Sequence, residues 1–216
     1  MHTQKLHLLI IDSSLEDYHH VHPTPTNQPG IYEFQWQPKQ QDAYRMWADI
    51  APLDTNRQEF VMADLLPGAK PAMPIDREPK MKSTVGNYNF KLYFDSNELR
   101  NGSTVTGHII VTDLEGHPVK DLEPIMGAYA HLVGFYDDFK SIIHIHPMGE
   151  EPTQSSDRSG PEIIFFMDPE QDGFIKLFVQ VKIGGQEVIA PFAFAIQPKK
   201  TAFKIRFGME SYDRTI

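Results

Sequence analysis

Apolar and polar residues alternate with period two along most of this chain. The stretches NYNFKLYF (87–94) and TVTGHIIVT (104–112) put every second side chain on one face, as half-buried strands do. The same reading gives strands over 5–12, 17–22, 30–37, 43–49 and 58–65 in the first part of the chain. In the second part it gives 86–95, 103–113, 129–136, 141–146, 161–167, 173–181 and 186–196. Asp113–Gly116 and Gly184-Gly185 read as turns, and no segment has the 3.6-residue period of a long helix. The pattern predicts an all-β protein built from antiparallel immunoglobulin-like β-sandwich modules.

The two parts are copies. Residues 7–23 read HLLIIDSSLEDYHHVHP and residues 131–147 read HLVGFYDDFKSIIHIHP. His7, His20, His22 and Pro23 align with His131, His144, His146 and Pro147 at one constant offset. After an insertion in the second copy, Phe34, Trp36 and Pro38 align with Phe165, Met167 and Pro169. AYRMWAD (43–49) then aligns with FIKLFVQ (174–180). The division that follows is an incomplete module over 1–66, a Pro-rich linker over 67–83, a complete module over 84–197 and a tail over 198–216. The first copy lacks counterparts of the strands at 86–95 and 103–113. A start that lies inside a longer protein is the expected reason. TAFKIRF (201–207) alternates and is expected to add a strand at an otherwise open sheet edge.

Composition narrows the function. Of 216 residues, 40% are hydrophobic, which suffices for packed cores. The net charge of −9 argues against nucleic acid as a partner. No apolar run reaches the length of a membrane span. The absence of cysteine excludes disulfides, thiolate zinc sites and a blue-copper centre. There is no phosphate-binding glycine loop, no HExxH and no GxSxG, so the chain is expected not to be an enzyme.

The repeated histidines are the candidate chemistry. His20 and His22, two apart on a strand, share a face. A hairpin pairing Asp12 with Asp17 sets His7 opposite His22, and the same register sets His131 opposite His146. Each module then carries a patch of three imidazoles, His7, His20 and His22 in one and His131, His144 and His146 in the other. Such a set suits copper or zinc with an open fourth position. The competing reading is that His-x-His-Pro ends a strand and its rings bond the nearby backbone. His19 falls on the opposite face. His108 and His117 have no evident partners, and Trp36, Trp47, Phe165 and Phe178 are expected in the core.

The stretches LHLLIIDSSLEDYHHVHP, PGIYEFQW, YRMWADI and GAYAHLVGFYDDFKSIIHIHP resemble uncharacterised bacterial secreted proteins with repeated HL…HxHP modules. Those are akin to immunoglobulin-like domains encoded near copper-resistance genes. The resemblance implies a periplasmic or secreted metal-binding protein that carries or buffers its ion, with copper ahead of zinc. The alternative is a β-sandwich interaction module with structural histidines, meeting another protein through exposed sheet edges.

Overall fold

The computed structural model describes residues 6–52, 57, 59–65, 73–145 and 147–200, and at His144 the backbone alone. Among the described residues the regular structure is strand throughout. The first module contributes β1 (Leu6–Asp12), β2 (His19–Val21), β3 (Thr24–Pro25), β4 (Tyr32–Glu33), β5 (Tyr44–Ile50) and β6 (Glu59–Leu65). The second contributes β7 (Lys82–Val85), β8 (Tyr88–Phe94), β9 (Val105–Asp113), β10 (His131–Tyr136), β11 (Ile142–Ile145), β12 (Glu162–Met167), β13 (Gly173–Ile183) and β14 (Gln186–Ile196). All the strand pairs are antiparallel.

The duplication is visible in the pairing. One sheet has the order β2-β1-β5-β6 and a second the order β11-β10-β13-β14. Leu8 pairs Val21 as Leu132 pairs Ile145, and Leu9 pairs Trp47 as Val133 pairs Phe178. These are the same registers at aligned positions. The hairpin turns match too, because Leu15 and Phe139 both take positive φ, 61° and 56°. A non-glycine residue in that region costs roughly 1–2 kcal/mol. The cost recurs because both side chains are needed below the turn, where they enter one apolar cluster.

The third sheet, β12-β9-β8-β7, packs on one face of the second sheet and completes a sandwich. Its core holds Phe90, Leu92, Ile109, Val111 and Phe165 against Leu132, Leu177, Val179 and Phe192. Gly107 lies under the Phe165 ring, where an added Cβ would sit 2.2 Å from a ring carbon. In the first module, among the described residues, the segment containing β3 and β4 covers the corresponding face, with Phe34 and Trp36 against Leu8, Ile10 and Tyr44. No counterpart of β8 and β9 stands there among the described residues.

The two modules are stacked. Leu9, Ile11 and Trp47 of the first sheet meet Val133, Phe135 and Phe178 of the second. Within this cluster, every residue except Ile75 has its repeat equivalent present: Leu9 with Val133, Ile11 with Phe135, Leu15 with Phe139, Tyr18 with Ile142, Trp47 with Phe178 and Phe60 with Ile189. Polar contacts are reciprocal. Arg45 donates to the Phe139 carbonyl at 2.5 Å and Trp47 Nε1 to that of Lys140 at 3.3 Å, while the equivalent of Arg45, Lys176, donates to Glu16 at 2.5 Å. Equivalent faces making reciprocal contacts are the mark of an approximate two-fold relation. The second sheet is therefore the middle of three layers, and β10 is buried along its whole length.

The linker region is partly structured. Ile75 packs into the inter-module cluster, Arg77 pairs with Asp137 at 2.8 Å, and Lys80 bridges to Ala193 before β7 begins at Lys82. The expected strand at 201–207 lies outside the described residues.

Trp47 and Phe178 occupy equivalent places in the shared cluster. Trp47→Ala and Phe178→Ala should each destabilise by about 3–5 kcal/mol, read from the denaturant midpoint. Tyr18 tests the opposite case. Its ring stacks on Phe178 at 4.7 Å, but its hydroxyl makes no hydrogen bond among the described residues, and burial pushes its ionisation upward. Tyr18→Phe should leave stability unchanged or raise it by up to about 1 kcal/mol, because no bond is lost with the hydroxyl.

Candidate metal centre

The histidine cluster sits at one end of the inter-module interface, where the alternation of β1 continues from Leu9 to His7. The β1–β2 pairing has the expected register, so His7 comes level with His22. The hairpin is held by Asp12, whose carboxylate accepts the amides of Glu16 and Asp17 at 2.8 Å each and that of Ser14 at 3.1 Å. Asp17 in turn accepts from the Tyr44 hydroxyl at 2.6 Å and the Lys39 amide at 2.8 Å, and pairs with His19 at 2.9 Å. Burial pushes the Asp17 carboxyl up, but the hydrogen bonds from Tyr44, His19 and Lys39 outweigh it and hold it below the usual carboxylate range. The loop that aims β2 is thus pinned at both ends.

His7 Nδ1 lies 3.0 Å from His20 Nε2 and 3.1 Å from His22 Nε2. One ligand atom from each of the three rings falls within 4.8 Å of the others. Bonds of about 2.0–2.1 Å to a common ion separate neighbouring ligand nitrogens by about 3 Å, so the two short distances, which are hydrogen bonds here, are also compatible with a shared ion. His7 is buried and His20 half-buried, while His22 lies toward the surface, so the site opens on the β2 side. The residues fit a divalent ion with neutral-imidazole ligands.

The second module faces this triad. His131, the repeat equivalent of His7, stacks on His20 with ring centroids 4.7 Å apart and lies 6.4 Å from His7 at an interplanar angle of 12°. His20 Nδ1 is 2.9 Å from Gln180 Oε1, and Gln180 Nε2 donates to Glu187 at 2.7 Å. The sequence implied a patch in each module. The structure brings His131 of the second set beside the triad of the first module, because equivalent faces pack together. His144 pairs Val133 in β11, and His146 lies outside the described residues. Gln180, opposite His131 in β13, carried no sequence signal beyond its place in the repeat, where its equivalent is Asp49, opposite His7.

The other histidines among the described residues have these places. His19 points away from the triad, against Asp17 and the edge of Trp36. His108, expected without partners, bonds Glu162 at 2.9 Å and Asp95 at 3.0 Å and stacks on Tyr93 at 4.7 Å. Its partners come from neighbouring strands and have no sequence proximity. His117 bonds Asp113 within an exposed turn.

Residues 1–63 and 83–198 match the family described as a domain of unknown function, DUF8832, and the chain belongs to that family. No curated protein matches. Among solved structures, the chain is similar to a DUF4426 family protein from Pseudomonas aeruginosa, with 10% identity, a TM-score of 0.38 and coverage of 56% of this chain and 98% of that one. A beta-glycosidase from Bacteroides vulgatus matches at 12% identity and a TM-score of 0.28, over 88% of this chain and 21% of that one. An activated alpha-2-macroglobulin from Escherichia coli matches at 15% and 0.28, over 91% and 17%.

Burial lowers the His22 ionisation below its ordinary value of 6.5, and the Glu187 carboxylate partly offsets this. Protons therefore compete for this ring only below the usual histidine range. An NMR titration should place His22 below 6.5, and Glu187→Gln should move it lower still, because an opposing charge is removed.

Proposed function

We propose that this chain is a non-enzymatic extracytoplasmic metal-binding protein, a carrier or buffer for copper ahead of zinc. The observation that carries the reading is the convergence of His7, His20 and His22, with nitrogen separations of 3.0 and 3.1 Å. Three neutral imidazoles that turn one nitrogen each toward a common region form a ligand set that a cation can occupy in place of their mutual hydrogen bonds. Copper stands ahead of zinc because divalent copper binds nitrogen sites more tightly. The resemblance to proteins encoded near copper-resistance genes supports the same order. The extracytoplasmic assignment rests on that resemblance alone.

A second reading has its own observation. The edge strand β6 exposes Val61 and Met62, 51% and 47% accessible, which suits a β-sandwich module that meets another protein through a sheet edge. In that reading the histidines only hold one another by hydrogen bonds.

Titration of cupric and zinc ions into protein made without a His tag separates the two. The metal reading expects saturable binding, tighter for copper. It also expects stabilisation by about 2.7 kcal/mol at a free ion concentration a hundredfold above Kd. His20→Ala with His22→Ala should abolish both effects. Absence of saturable binding, with the double variant losing about 1–3 kcal/mol regardless of metal, leaves the interaction module.

A further inference from the structure

The tautomer of His20 is set by the second module. Glu187 carries a carboxylate, which only accepts, so the Gln180 group 2.7 Å away is its NH2 donor. That orientation turns Gln180 Oε1 toward His20 Nδ1 at 2.9 Å, and an amide oxygen only accepts. His20 Nδ1 must therefore carry a proton. A neutral imidazole has one N–H, so Nε2 keeps its lone pair, and Nε2 is the atom that faces His7 Nδ1 at 3.0 Å. The stacked ring of His131, register partner of Gln180, lies against His20 at 4.7 Å and limits its rotation.

We propose that Gln180 and Glu187 are positioning residues of the metal centre, and that the centre belongs to both modules. This rests on the metal reading above. His7 stands on β1, His20 on β2 and His22 directly after it, and the relay that readies His20 stands on β13 and β14. Ligating histidines elsewhere are oriented by an acceptor on the nitrogen away from the metal, and loss of that acceptor costs 10- to 100-fold in affinity. Here the acceptor crosses the module boundary. Metal affinity and module docking are therefore coupled, each strengthening the other.

Long-range 15N–1H NMR on the metal-free chain reads the tautomer, with the His20 signals identified by their loss in His20→Ala. The wild-type protein should show His20 protonated on Nδ1. Gln180→Leu should release it to a mixture and weaken metal binding about 10- to 100-fold. Gln180→Glu keeps an acceptor and should retain the Nδ1–H form. Glu187 is exposed, so Glu187→Gln folds regardless; it lets the Gln180 amide reverse and should give a smaller loss in the same direction. His20 found protonated on Nε2, or wild-type affinity in Gln180→Leu, overturns the proposal and leaves the metal reading intact. A wild-type chain that takes up no metal overturns both.

Discussion

The packing of the first sheet onto the second through equivalent faces is the contact on which the rest of this structure depends. Leu9, Ile11 and Trp47 against Val133, Phe135 and Phe178 bury what each module alone would expose to water. Full burial of such side chains is worth roughly 1.5–3 kcal/mol each. The incomplete first module gains most. Among the described residues its far face has the segment with Phe34 and Trp36 over it and no second sheet, so its stability leans on the face it shares. The strained φ of Leu15 and Phe139 belongs to the same economy of forces. Both turns adopt the costly conformation because it drops an apolar side chain into this seam.

The same seam decides where polar chemistry can sit. Within each strand the alternation that aims Leu9 and Val133 at the seam also aims His7 and His131 at it, one step past the apolar cluster. There His7 Nδ1 meets His20 and His22, and His20 meets the amide of Gln180, so these half-buried polar atoms are brought together at one end of the seam. The pair Arg45 and Lys176 brackets the other end, each reaching the opposite hairpin. Position along the strand sets a residue's role: apolar in the middle, histidine at one end, cation at the other.

Much of this was legible in the chain. Strand positions followed from the period-two alternation, and the β1–β2 register followed from the hairpin and its His-x-His spacing, because local sequence governs both. The repeat foretold that β10 and β13 would pair as β1 and β5 do. What the sequence did not show is long-range. That two copies would meet face to face leaves no periodic trace, so the contact of His131 with His20 was not foreseen. The short strand β7 straddles the end of the stretch read as linker, and Ile75 within that stretch is one apolar residue among many. The partners of His108 come from strands far apart in sequence, and only the sheet order brings them together.

The approximate two-fold has a consequence for assembly. Two modules that use the same surface to meet would, as separate chains, associate only above their dissociation constant. Joined through residues 67–83 they meet at an effective concentration fixed by the tether, commonly in the millimolar range for short linkers. A histidine cluster whose neighbours come from both modules is then assembled within a single molecule, however dilute the protein. Its geometry is independent of the protein's own abundance.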